Sequence, residues 1–348
     1  MKALGNMERI QITNEVIALL LSLYESKGKS FYYDELFSRD LNSFQKNVLE
    51  NDIYALGKLL SLGITDARLK ALAKKNLSAK NNDETLLLNL KKILITLQKY
   101  SEDFELLSNE IIDMSKYLCA NLEPIVFNTF EEITLIGERA KKTSKRVYLD
   151  ELLTLLSKQI HKNSFELTQL IVNFYVDFLE LDIFSSKNDL LGLLIVYALL
   201  LKHFGIFKYT SFFESFVEIK NEWHAALIQA RHLYASGFAQ TDFLSRLLIT
   251  LLMDAYKKVN DIAYAYEFEK DLNKSDNIEN TIMKFDGIFS KEDIRTQHPN
   301  VSDATIDRTL KRLRDNNIIR PLGKGRSSKW QRIVEGHQKK VYQINIFD

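Results

Sequence analysis

The chain has 348 residues, 46% of them apolar and 27% charged, with 12 Gly, 3 Pro and one Cys. That composition excludes a disordered chain, a collagen-like repeat and a disulfide framework, and Cys119 alone cannot build a thiolate zinc site. The formal net charge is +1, but residues 290–348 hold 13 Lys+Arg against 7 Asp+Glu, a net of +6, which leaves the rest at −5.

Taken in chain order, the first apolar run, 16–23, follows Glu8, Arg9 and Glu15 and lacks a small-residue cleavage site, so it does not read as a secretory signal. Thr13 is expected to cap a helix over 15–23, and leucines at helical spacing predict another over 85–97. The segment 128–147, where short β-branched and charged runs surround Gly137, predicts a small hairpin or flap. Further helices are expected over 151–160, 165–180, 189–204, 209–235 and 241–259. The most apolar stretch, 190–201, is only 12 residues between Asp189 and Lys202. A membrane span needs about 20, so this is expected to be a buried core helix in a soluble, cytoplasmic protein. The polar run EFEKDLNKSDNIEN (267–280) places a domain boundary near 273.

Beyond that boundary the texture changes. A first helix is expected over 277–289, Ser290 caps a second over 291–298, and Pro299 and Asn300 make a turn. Ser302 then caps a third helix to about 316, followed by β-like segments to 347. Helix, helix, turn, helix, hairpin is the order of a winged helix-turn-helix. Ile306, Leu310 and Leu313 share one face, the spacing of a core stripe, while Thr305, Arg308, Lys311 and Arg312 fall on the other side. An arginine there can grip guanine bidentately, and lysine or threonine more often takes phosphate. In LGKGRSSKWQR (322–332), Gly323 and Gly325 form a flexible tip. Lys324, Arg326, Lys329 and Arg332 supply cations that a wing would lay along a phosphate backbone, and Trp330 reads as the hairpin's core anchor. Double-stranded DNA is the expected partner, bound in a salt-sensitive way. A solvated charged face, or a winged helix used for protein contacts, would carry the same residues.

The segment LDIFSSKNDLLGLLIVYALLLKHFG (181–205) is a polar loop followed by a long apolar helix. Helix starts of this kind present unsatisfied N–H groups to anions. Through most of its length the chain resembles the Fic family (filamentation-induced-by-cyclic-AMP proteins), in the long form with a C-terminal winged helix. ITNEVIALLLSLYESKGK (12–29) is similar to the family's N-terminal helix. LSLGITDARLKAL (60–72) is similar to the segment bearing its inhibitory motif. FGIFKYTSFFESF (204–216) and TDFLSRLLITLLMDAYKKV (241–259) resemble the helices after the catalytic one. The resemblance implies a mainly α, Fic-like helical bundle over 106–272, after an N-terminal helical region over 1–105 and before a winged helix-turn-helix over 273–348.

The family's active loop reads H-P-F-x-D/E-G-N-G/K-R-x-G-R, and laid on this chain it runs from Asp182 to Leu193. Phe184, Asn188 and Gly192 match. Asp182 stands at the histidine position, Ser186 at the acidic one, Lys187 and Asp189 at the flanking glycines, and Leu190 and Leu193 at the arginines. The family transfers AMP from ATP to a protein hydroxyl. A positioned base contributes roughly 10²–10⁴ in rate, and a carboxylate with the ordinary pKa of about 4 is a poor one. Serine is a weak ligand for Mg²⁺, and leucine removes a phosphate clamp. The inhibitory motif Ser/Thr-x-x-x-Glu-Gly keeps Gly63, with Leu62 and Lys58 at its other two positions. The expectation is therefore a DNA-binding, homodimeric regulatory protein with a degenerate Fic-like domain and no catalytic residue, metal or cofactor. The alternative is a nucleotide-binding protein or nucleotidyltransferase in which Asn188 and the helix start hold phosphate and Lys187 supplies charge. No His-Glu-x-x-His zinc pattern, Walker loop or dinucleotide fingerprint occurs.

Overall fold

The computed structural model describes residues 1–10, 12–132, 141–270, 274–285, 287–299, 301–323 and 329–333. The chain divides into two compact units, Met1–Asp261 and Ile262–Asp348, so that 1–105 and 106–261 fall in one body and the division lies inside a helix. The predicted tip residues Lys324, Gly325 and Arg326, and the expected strands beyond 333, lie outside the described residues.

The first unit begins with a 3-10 turn, Leu4–Arg9, followed by α1 (Asn14–Lys27), α2 (Ser30–Phe37), α3 (Leu41–Leu59), α4 (Asp66–Lys74), α5 (Asn82–Lys99) and α6 (Ser108–Leu118). A hairpin, β1 (Thr129–Glu132) and β2 (Lys141–Ser144), comes next, where a small hairpin or flap was expected. Its antiparallel register pairs Thr129 with Ser144 and Glu132 with Lys141. Then come α7 (Arg146–Lys162), α8 (Leu167–Leu181), α9 (Asn188–Phe204), α10 (Phe212–Glu218), α11 (Lys220–His232) and α12 (Asp242–Lys270). Side chains close the helix starts. The Thr13 hydroxyl accepts from the Val16 N–H at 3.4 Å, Asn81 from Glu84 at 2.9 Å, and Ser211 from Glu214 at 3.1 Å. Each such cap contributes on the order of 1 kcal/mol.

The core of this unit is the pair α8 and α9. Every residue from Leu190 to Leu201 is buried, which explains an apolar run with no polar face. Gly192 permits the close approach: a Cβ there would stand 3.0 Å from Tyr175 Cε2 and 3.1 Å from Phe178 Cδ1. The single helix expected over 209–235 is broken into α10 and α11 at Ile219 (φ −103°, ψ 8°). Adjacent Phe212 and Phe213 are both buried, and both pack on Tyr197.

Two buried carboxylates tie distant segments together. Asp177 in α8 accepts the backbone N–H groups of Lys2 (2.8 Å), Ala3 (3.1 Å) and Leu4 (2.9 Å), and the Tyr234 hydroxyl (2.7 Å). Asp52 in α3 accepts from the Ser211 hydroxyl (2.5 Å) and the Phe213 N–H (3.0 Å). Burial pushes the Asp52 carboxyl up to about 7, against those hydrogen bonds.

The second unit contains α13 (Lys274–Lys284), β3 (Ile288–Ser290), α14 (Lys291–Gln297), α15 (Asp303–Asp315), β4 (Ile319–Pro321) and β5 (Lys329–Arg332). Its sheet is antiparallel in the order β3-β5-β4. Ser290 and Asp293 form a reciprocal capping box on α14, and the Ser302 hydroxyl accepts the Thr305 N–H on α15. Ile278, Ile282, Phe289, Ile294, Ile306, Leu310, Leu313 and Ile319 make one core, with Trp330 packed against it. The first helix differs from its expected 277–289 span. It starts at Lys274 and stops at Lys284, and Gly287 (φ 156°) turns the chain so that Phe289 enters the core from a strand. Among the described residues no helix is long and apolar enough to cross a membrane.

Candidate functional site

The loop between α8 and α9 is built by backbone geometry first. α8 ends where Asp182 adopts the left-handed conformation (φ 44°, ψ 59°), and Lys187 does the same (φ 58°, ψ 24°) immediately before α9. Between them the chain pairs with residues 126–128. The Asn128 N–H donates to Ile183 O at 2.9 Å, and the Ser185 N–H donates to Val126 O at 2.8 Å. Phe127 and Phe184 face each other across this bridge with ring centroids 4.9 Å apart. Ile183 and Phe184 are buried; Asp182 and Ser186 are exposed.

The Asp182 and Asn188 side chains, joined by Asn128, are directed into the loop itself. Asn188 accepts the Phe184 N–H at 2.9 Å, and its amide donates to Phe184 O (2.7 Å) and to Asp182 Oδ1 (2.9 Å). The Asn128 amide donates to Asp182 O (2.9 Å), Asp182 Oδ2 (3.0 Å) and Phe184 O (2.9 Å). Lys145 Nζ adds bonds to Leu181 O (2.8 Å) and Asp182 O (3.1 Å). Both Asp182 carboxylate oxygens thus hold an amide, and Asn188 acts as the loop's internal brace. Lys187, half-buried, opens α9 without a side-chain cap. Leu190 and Leu193 are 5% exposed and belong to the core, and Gly192 lies at the α8–α9 contact. Asn128 and Lys145 were not singled out from the sequence; the only signal for them was the hairpin that they flank.

The positions that the resemblance assigns to an inhibitory motif are also engaged locally. Lys58, at the end of α3, pairs with Asp66 at 3.0 Å, Leu62 is half-buried, and the Gly63 N–H donates to Asp83 at 2.7 Å.

The second candidate surface is on α15. Ile306, Thr309, Leu310 and Leu313 are buried under it. Arg308 and Lys311 are exposed and have no ion-pair or hydrogen-bonding partner for their side chains among the described residues, and the same holds for Lys329 on β5. Other cations here are engaged. Lys291 pairs with Asp307 at 2.6 Å, Arg314 with Asp315 at 2.8 Å, and Arg332 Nη1 donates to Met283 O. Two residues expected to face outward are also held. Arg312 Nη2 lies 2.6 Å from Glu279 and 3.9 Å from Asp276 on α13, and the Thr305 hydroxyl lies 2.9 Å from that of Ser302.

No family sequence model and no curated protein matches the chain. Its fold does resemble solved structures. A Fic family protein from Desulfovibrio desulfuricans G20 aligns with a TM-score of 0.54 at 13% identity, covering 94% of this chain and 99% of that one. A Fic domain containing signaling protein from Bacteroides thetaiotaomicron VPI-5482 aligns with a TM-score of 0.54 at 15% identity, covering 70% and 97% respectively. The protein is therefore mainly α, and its fold is Fic-like, as the resemblance implied.

Proposed function

We propose that the chain is a DNA-binding regulatory protein whose Fic-like unit transfers no AMP and whose C-terminal unit works as a winged helix-turn-helix. The observation that carries this reading is the pairing state of the α15 cations. Arg308 and Lys311 lie exposed on the side of α15 opposite Leu310 and Leu313, with no partner among the described residues. Cations that the fold does not use internally are available to phosphate and to base edges. Lys329 extends the set onto the strand that would lead out of a wing. The helix–strand–helix–helix order with a three-stranded antiparallel sheet fits the same motif.

The loop supports the other half of the reading. The position of the family's base is an aspartate whose two oxygens hold Asn128 and Asn188, and the positions of its arginines are core leucines. Those positions carry neither an imidazole nor a guanidinium, and the loop's own cation, Lys187, is half-buried.

The test is a gel-shift titration of the full chain against genomic fragments at low and high salt. A shift that weakens steeply with salt is expected, and no shift at micromolar protein overturns the reading. Homodimerisation, which would match a palindromic site, is read from the same protein by sedimentation with and without DNA.

A further inference from the structure

Residues 16–24 (VIALLLSLY) hold no charge, the composition of a helix that is buried all round. Yet α1 fully buries only Val16 and Leu23. Ile17, Leu21 and Tyr24 are 45%, 69% and 40% exposed. Gly28 and Lys29, between α1 and α2, keep right-handed helical dihedrals (φ −57°, ψ −20° and φ −84°, ψ −4°), so the helical count runs on into α2. There Phe31 is 78% exposed. Asn14, Ile17, Leu21, Tyr24, Gly28 and Phe31 follow one another in alternating steps of three and four residues, and all six are exposed. That is the spacing of a coiled-coil seam, here turned to solvent.

The seam also matches itself in reverse. Laid antiparallel on a copy, with the two-fold axis between Ser22 and Leu23, Leu21 comes opposite Tyr24, Ile17 opposite Gly28, and Asn14 opposite Phe31. Large side chains thus face a ring in the middle layers and a glycine in the next, which interdigitation requires. Lys29 has no ion-pair partner among the described residues, and in this register it falls within one residue of Glu15 of the copy. Glu15 pairs with Arg246 at 2.7 Å but remains 66% exposed. Glu25 comes opposite Leu20, beside Ala18 and Ser22, so no like charges meet. A parallel pairing would set Glu25 on Glu25 and Lys29 on Lys29, and flanking charges of this kind decide orientation. Tyr24 is already held in place, its hydroxyl donating to Glu166 at 2.8 Å and the Lys27 ammonium lying 5.4 Å from its ring centre, so little side-chain freedom remains to be lost.

We propose that this seam is the contact between two copies of the chain, packed as an antiparallel pair of α1 helices about a two-fold axis. The inference does not depend on the DNA-binding reading, since α1 lies in the first unit and α15 in the second. Four large side chains per copy make a small interface, below about 1,200 Å² in total, so a Kd on the order of 10 µM is expected.

Sedimentation equilibrium of the full chain tests it. A dimer is expected, and Leu21→Lys, which drives an ammonium into both middle layers, should weaken it about a hundredfold or more. Circular dichroism checks that this variant is folded. Should it not be, cross-linking decides: Leu21→Cys chains mixed with Tyr24→Cys chains and treated with a short bismaleimide should give a mixed product, read by peptide mass spectrometry. Leu21→Cys mixed with Ile228→Cys, a site on α11 that is 60% exposed, should give none, and the native Cys119 is buried. A monomer at about 100 µM, a folded Leu21→Lys as dimeric as the natural chain, or no mixed 21–24 product overturns the proposal. A dimer lost in Leu21→Lys but shifting no DNA fragment upholds it and sinks the DNA-binding reading alone.

Discussion

The 182–187 loop and the α15 surface treat their polar groups in opposite ways. In the loop, two asparagine amides and a lysine ammonium are spent on carbonyls and a carboxylate of the loop itself. On α15, a complete apolar core closes beneath the helix, and Arg308 and Lys311 above it have no partner among the described residues. The loop's two amides and the Lys145 ammonium brace its own backbone, whereas two cations on α15 are left unspent.

The largest expected effect tests the α15 side. Arg308→Ala with Lys311→Ala should cost about 1–3 kcal/mol for each residue that reads a base, measured as DNA affinity in gel-shift titrations. For each of them that instead grips phosphate, the slope of log affinity against log salt should fall by about 0.9. Unchanged affinity in the double variant would break the contrast. On the loop side, Gly192→Val puts methyl groups into space held by Tyr175 and Phe178. It should lower stability by about 1–3 kcal/mol in urea unfolding, or more if the helices cannot part. Asn188→Ala leaves the Phe184 N–H without its acceptor, while the Phe184 carbonyl keeps the Asn128 amide. A loss of about 1–3 kcal/mol is expected in the same assay, with DNA affinity unchanged. Incubation with radiolabelled ATP and Mg²⁺ should label no protein, and any label would show that the loop still works on a nucleotide. The smallest stability change is expected from Arg312→Ala. Its pairing with Glu279 is 44% exposed on the arginine side, so about 0.2–1 kcal/mol is expected.

A pH series separates the scaffold from both surfaces. The Asp52 carboxyl is raised from 3.8 to about 7 in the folded protein. The folded state therefore holds this proton more tightly than the unfolded chain does. Its contribution to stability is complete below the unfolded value and is lost as pH rises through about 7. In Asp52→Asn that part of the slope should disappear from a series of thermal unfolding midpoints.

Much of the fold was legible where one physical cause dominates locally. An unbroken apolar run could only be buried, and α9 is. Ser290 and Ser302 announced the starts of α14 and α15, because a hydroxyl ahead of a helix finds an N–H to accept. The Ile306, Leu310 and Leu313 stripe named its own inward face. What escaped depends on partners remote in sequence. Arg312 looks outward on a helical wheel, and only the packing of α13 against α15 brings Glu279 to it across 33 positions. Asn128 acquires its role from carbonyls 54 and 56 residues later. Ile278 sat inside a polar run, because a helix of this size needs only one apolar stripe to dock.

The Asp177 clasp sets an order on assembly during synthesis. The backbone donors at Lys2, Ala3 and Leu4 precede their acceptor by up to 175 positions, and the tyrosine sharing that acceptor comes 57 positions later still. Closing so long a loop is slow, since the entropy of bringing the ends together comes before the bonds that reward it. A nascent chain on the ribosome must therefore hold its opening segment unpaired until α8 has emerged, and the first unit seals only after Tyr234 has been made.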